Sequence, residues 1–177
     1  MNIKTMRYII CLAVIGSCAQ IAVNAGQALA QEEASADKEI HEIEKVWEKN
    51  LTGFVNRDID SVIETMSPNY STTIDGKEVG YSQYMPVIEK LNDDFFANHI
   101  SCFIDSTKIL GSEISGNRAN IIFEYTLKAF NTEAMRWNNY QTTQEVFFAK
   151  EGTQWKIIGS GEKKNKWRLT GTEKAED

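Results

Sequence analysis

From Ile40 to Leu91 the apolar positions recur every third or fourth residue; from about residue 100 to Ile158 they recur every second one. The first period belongs to helices and the second to strands. Ile40, Ile43, Val46, Trp47, Leu51 and Phe54 form one stripe and predict a helix from about Asp37 to Asn56. Asp37 suits its N-cap, and Glu39 and Glu42 suit the positive end of its dipole. Ile59, Val62, Ile63 and Met66 predict a second helix over about Asp58 to Met66. It stops at Ser67-Pro68, because the residue before proline avoids helical geometry. A short β segment at Tyr70–Ile74 precedes a third helix that begins near Ser82 and carries Tyr84, Val87, Ile88 and Leu91. Pro86 falls within the first turn or so, where proline is tolerated.

After Asn92 the period changes. Residues 100–114 alternate loosely, and Ser115-Gly116-Asn117 reads as a hairpin turn. Ala119, Ile121, Phe123, Tyr125 and Leu127 make one apolar face, and Asn120, Glu124, Thr126 and Lys128 make the other, so this strand is half buried. A loop at Asn131–Arg136 leads to a strand over about Trp137 to Lys150; Glu151-Gly152 turns it into a last strand at Gln154–Ile158. Three helices followed by a four-stranded meander predict an α+β domain. The expected architecture is a cone, with three N-terminal helices packed on a curved, mainly antiparallel sheet around one pocket.

The N-terminus bears on compartment. Lys4 and Arg7 precede an apolar run, Tyr8–Ile15, and a small-residue stretch ending Ala28-Leu29-Ala30. A basic start, a short apolar middle and an A-x-A site describe a secretory signal peptide over residues 1–30. The apolar core is about half of the roughly 20 residues a membrane span needs. Ile15-Gly16-Ser17-Cys18 also resembles a lipoprotein box, which would anchor the protein through Cys18. Export as a soluble periplasmic or secreted protein, cut after Ala30, is the expectation. That leaves Cys102 as a single cysteine, without an intramolecular disulfide partner and best read as a small buried hydrophobe.

The remaining map is a polar, disordered lead-in at 31–38, a domain at 39–160 and a charged tail at 161–177. The formal net charge of −6 becomes more negative once Lys4 and Arg7 are removed. An acidic exported domain is a poor match for nucleic acid or for an anionic membrane surface, both of which need a basic face. His41 and His99 lack metal-ligand spacing with each other or with Cys102, so no zinc site is expected, and no cofactor is implied.

The run Phe54-Val55-Asn56-Arg57-Asp58-Ile59-Asp60-Ser61-Val62, with Met66-Ser67-Pro68-Asn69-Tyr70 after it, resembles the helix hairpin of the nuclear transport factor 2-like superfamily. Phe147-Phe148 answered by Gly152-Thr153-Gln154-Trp155-Lys156-Ile157-Ile158 is similar to the superfamily's last hairpin, particularly in its SnoaL-like branch. The resemblance covers about Glu39 to Ser160 and implies the fold without a single activity. Ketosteroid isomerases, polyketide cyclases, dehydratases and non-catalytic binders share it. The ketosteroid-isomerase pattern places a phenol where this chain has Asn50. That pattern's basic carboxylate falls on or next to Ile74, one residue from Asp75.

Two readings of function follow. In the first, a non-catalytic domain binds a small apolar or amphipathic molecule, or serves as a homodimerisation module. Trp47, Asn50, Tyr70, Tyr84, Tyr125, Trp137 and Tyr140 are the candidate pocket residues, with Phe103 a further aromatic in the same supply. In the second, an isomerase, dehydratase or cyclase uses Asp75, His99, Glu124 or Glu145 as an acid–base group, and Glu145 stands out in a strand rich in Thr and aromatic residues. A sheet-to-sheet homodimer is expected from the apolar residues of both parities in strands 100–110 and 137–149.

Overall fold

A computed structural model describes residues 35–74, 76–161 and 168–174. The expected leader, Cys18 and Asp75 lie outside the described residues. The chain divides into a compact unit from Glu42 to Asp177 and a preceding one, of which residues 35–41 are described and helical.

Helix α1, residues 35–55, buries Ile43, Trp47, Leu51 and Val55, a row spaced by four that lies on one side of a 3.6-residue helix. Past its end the chain reverses at Arg57, whose φ is 60°, and the Asp58 N–H closes back on the Gly53 carbonyl at 2.8 Å. Asp58 then caps α2 (Ile59–Thr65), its carboxylate accepting from the Ser61 N–H at 3.1 Å and the Ser61 hydroxyl at 2.6 Å. Those two bonds hold the Asp58 carboxyl below its ordinary pKa, the hydroxyl bond contributing most. Gly53 allows the close crossing: a Cβ there would lie 3.0 Å from the Asp58 carbonyl oxygen.

Strand β1 (Met66–Ile74) follows α2 without a loop, so Met66 opens a strand instead of closing the helix. Pro68 is accommodated because β1 pairs with its neighbours at Met66 and from Ser71 onward, and the missing N–H falls in the interruption. The chain continues through β2 (Lys77–Gly80), α3 (Tyr81–Ala97), β3 (His99–Ser115), β4 (Arg118–Asn131), β5 (Arg136–Glu151), β6 (Gln154–Ser160) and β7 (Arg168–Lys174). The described strands form a seven-stranded sheet in the order β2-β1-β6-β5-β4-β3, with β7 also paired to β5.

Helices on a mixed, open, mostly antiparallel sheet make this an α+β fold. The β3-β4-β5-β6 succession is the expected meander, with turns at Gly116 and Gly152, both at positive φ. Three features depart from the expected pattern. Strand β1 joins the meander by pairing in parallel with β6, and β2 extends the sheet beyond it. Helix α3 runs five residues past Asn92, to Ala97. Residues 168–174, expected within a charged tail, add β7 alongside Arg136–Gln141. None of these pairings leaves a period in the local sequence.

Parity decides the core. On β4, Ala119, Ile121, Phe123, Tyr125, Leu127 and Ala129 are all buried. They meet α1 through Trp47, which stacks on Phe123 with ring centres 5.0 Å apart and meets Tyr125 edge-on at 5.6 Å. Trp155 and Ile157 of β6 and Val146 and Phe148 of β5 complete that packed end.

Candidate functional site

The buried face of β5 changes character along its length. Val146 and Phe148 are apolar, but Thr142, Tyr140 and Asn138, stepping back by twos with Gln144, are polar. Helix α3 lies over that polar stretch and buries fully only one of its own residues, Asn92, which donates to the Phe54 carbonyl at 2.7 Å. Its apolar side chains therefore border space instead of filling it. The result is a cavity of about 710 Å³ between α1, α2, α3 and the sheet. Trp47, Leu51 and Phe54 of α1 and Tyr84, Ile88 and Phe95 of α3 form apolar walls, and Tyr125, Leu127, Tyr140 and Thr142 form the floor.

One end of the cavity is built around His99. Its Nδ1 lies 2.7 Å from the Phe95 carbonyl oxygen and its Nε2 lies 3.0 Å from the Tyr140 hydroxyl. A carbonyl only accepts, so the neutral imidazole carries its proton on Nδ1 and turns the Nε2 lone pair to the Tyr140 O–H. Asn138 Nδ2 in turn donates to the Tyr140 oxygen at 3.0 Å. Phe95 stacks on the His99 ring at 4.6 Å, and Tyr140 meets it edge-on at 5.6 Å. The Phe95 carbonyl belongs to the last turn of α3, where no later helical N–H is in position, and His99 supplies the donor.

The other end centres on Ser160. The Thr72 hydroxyl donates to the Ser160 carbonyl at 3.0 Å, which leaves its oxygen to accept from the Ser160 hydroxyl, also at 3.0 Å. The Tyr70 hydroxyl then lies 3.1 Å from Ser160 Oγ, and Tyr84 stacks on the Tyr70 ring at 4.7 Å. Burial, followed by the neighbouring Tyr70, pushes the Tyr84 phenol well above its ordinary pKa; burial does the same to Tyr125, so both remain neutral. Tyr125 donates to Gln144 Oε1 at 3.1 Å midway between the two ends. Trp47 Nε1 is buried without an acceptor.

No family model matches the sequence, and no curated protein does. Solved structures do. A hexachlorocyclohexane dehydrochlorinase from Novosphingobium barchaimii superposes with a TM-score of 0.59 at 11% identity, covering 80% of this chain and 92% of its own. An NTF2-like family protein from Streptomyces avermitilis gives 0.56 at 10% identity, over 71% and 95%. The association domain of C. elegans CaMKII gives 0.56 at 9% identity, over 73% and 98%. The chain has the nuclear transport factor 2-like fold. At these identities the likeness is one of fold, and the NTF2-like scaffold is shared by proteins of different action.

Within this NTF2-like domain, Trp47, Asn50, Tyr70, Tyr84, Tyr125 and Tyr140 line the cavity together with His99. Asn50 ties α1 to α2, donating to Thr65 Oγ1 at 2.7 Å. Trp137 lies on the opposite face of the sheet, edge-on to Phe103 at 5.6 Å and to Phe130 at 5.3 Å. Glu145 shares that opposite face, one residue out of phase with Gln144, and accepts from Asn120 Nδ2 at 2.7 Å. Glu124 stands there too, in register with Lys108. Sequence reasoning passed over Thr142, Gln144, Phe95 and Ser160. The signal for the first two was present as a polar row at even positions of β5, in phase with the apolar Val146 and Phe148.

Proposed function

We propose that this protein binds a small, largely apolar molecule in the cavity between its helices and sheet. The observation that carries this reading is the cavity itself, 710 Å³ with aromatic and aliphatic walls and a polar row along the floor. Binding pockets for small molecules fall between roughly 300 and 1,000 Å³ and combine apolar walls with a few placed polar groups. The test is fluorescence titration with N-phenyl-1-naphthylamine, a neutral apolar probe, alongside native mass spectrometry for a co-purified ligand. Saturable binding is expected, and it is lost when Ile88→Trp fills the space. Equal binding by that variant, or none by the wild type, overturns the reading.

A second reading draws on the His99–Tyr140 pair. A neutral imidazole facing a phenol can take the phenol's proton as that phenol takes one from a bound ligand, which is the acid–base chemistry of an isomerase, dehydratase or cyclase. Its test is α-proton exchange of a bound apolar ketone in deuterated water, followed by NMR. Exchange that persists unchanged in His99→Ala removes this reading.

We infer further that the protein acts outside the cytoplasm and pairs with itself through the outer sheet face. The Phe103–Phe130–Trp137 cluster, with Leu110 and Ile122 about half exposed, supplies apolar area there. Strand β7 extends the sheet beside β5, so Leu169 remains half exposed. Light scattering of the exported chain with and without residues 168–177 tests this; a monomer in both forms contradicts the dimer. Mass spectrometry of the mature N-terminus is expected to give Gln31, and an acylated Cys18 refutes soluble export.

A further inference from the structure

The two polar ends of the cavity specify more than an apolar ligand. Ser160 is in register with Val146, and Tyr140 lies six residues earlier on the same strand. At about 3.3 Å per residue, the two clusters are rooted roughly 20 Å apart along the floor. Each cluster is a chain of hydrogen-bonded groups without a carboxylate, lysine or arginine: Asn138–Tyr140–His99 at one end and Tyr70–Ser160–Thr72 at the other. Between them the floor carries Thr142, Tyr125 and Gln144, the last two joined by their own hydrogen bond, and Phe54 and Ile88 wall the same cavity.

Charge is confined to the mouth. Among the described lining residues Asp94 is the one carboxylate, and neither lysine nor arginine is present. Asp94 lies on the exposed rim, paired with Lys90 at 2.8 Å. An ionised ligand group drawn to either end would lose its hydration without a lysine or arginine to pair with, a large penalty in an apolar site. A hydroxyl or carbonyl loses far less and finds partners at both ends.

We propose that the ligand is a neutral, elongated molecule with an apolar middle and an oxygen function at each end, one held by Tyr140 and His99 and the other by Tyr70 and Ser160. This rests on the cavity being the binding site, as argued above. The test uses three compounds of one chain length: 1,12-dodecanediol, 1-dodecanol and dodecanoate. Each competes with N-phenyl-1-naphthylamine for the full-length mature protein at pH 8.

The diol is expected to bind more tightly than the mono-alcohol although water solvates it better, and dodecanoate is expected to bind most weakly. Tyr140→Phe and Ser160→Ala are each expected to weaken the diol at least fivefold relative to the probe's affinity for the same variant. Tighter binding of the mono-alcohol than of the diol overturns the two-ended ligand, as does tightest binding of the carboxylate, with the cavity reading left standing. Failure of the probe itself to bind overturns the cavity reading and this proposal together.

Discussion

On one face of β5, Phe148 is completely buried against the core and Val146, equally buried, marks the boundary, while Tyr140, Thr142 and Gln144 of the same face line a cavity. The strand, the neighbour β4 and the alternation are common to both halves. What differs is the cover. The Phe148 half meets α1 and β6 through Trp47, Trp155 and Ile157, all nearly inaccessible; the Tyr140 half meets α3, whose apolar residues remain only partly buried. The strand is thus packed where its cover is complete and lines open space where the cover stands off. Tyr140 and Gln144 are tolerated in the second half because each finds a hydrogen-bond partner within the site, to His99 and Tyr125 respectively.

Substitutions at the packed end should cost the most stability. Trp155→Ala is expected to destabilise by about 3–5 kcal/mol as a large core truncation. A urea denaturation curve showing a loss below about 1 kcal/mol would break the contrast. Gly159→Ala comes next: a Cβ there would sit 2.5 Å from the Ser71 carbonyl oxygen, in the parallel β1–β6 pairing. That backbone must move, and overpacking of this kind costs about 1–3 kcal/mol. A melting temperature equal to the wild type would show that β1 and β6 are not held at this separation.

At the open end, Tyr140→Phe removes the hydroxyl that joins His99 to Asn138 and is expected to cost about 1 kcal/mol. Its main effect should be on ligand affinity, the reverse of Trp155→Ala. Comparable losses of stability in the two variants would remove the distinction between the halves.

The smallest effect concerns Cys102, on β3 beside Ala129. Burial pushes its thiol from an ordinary 9.0 up to about 12. A raised pKa means the folded state keeps a proton the unfolded chain gives up. The resulting stabilisation is complete below pH 9 and is lost as pH rises toward 12. At pH 8 the native thiol should react with iodoacetamide far more slowly than the same thiol in urea, since the thiolate is the nucleophile. Equal rates would place Cys102 outside the sheet's covered face.

The local periods determined the helices, the apolar parity of β4 and the Asp58 turn, because each depends on neighbours within a few residues. They also named most of the aromatic groups at the cavity, since large rings in an α+β domain gather where helices meet the sheet. Which way Glu145 and Trp137 face was a matter of phase, and only the β4–β5 register fixed it. The parallel pairing of β1 with β6, the addition of β7 beside β5 and the meeting of His99 with Tyr140 across 41 positions all arise from distant segments. Hydrogen bonds between strands carry no sequence signature of their partner, so the tertiary structure alone decided them. It alone decided, too, that α3 stands away from β5 and leaves a cavity between them.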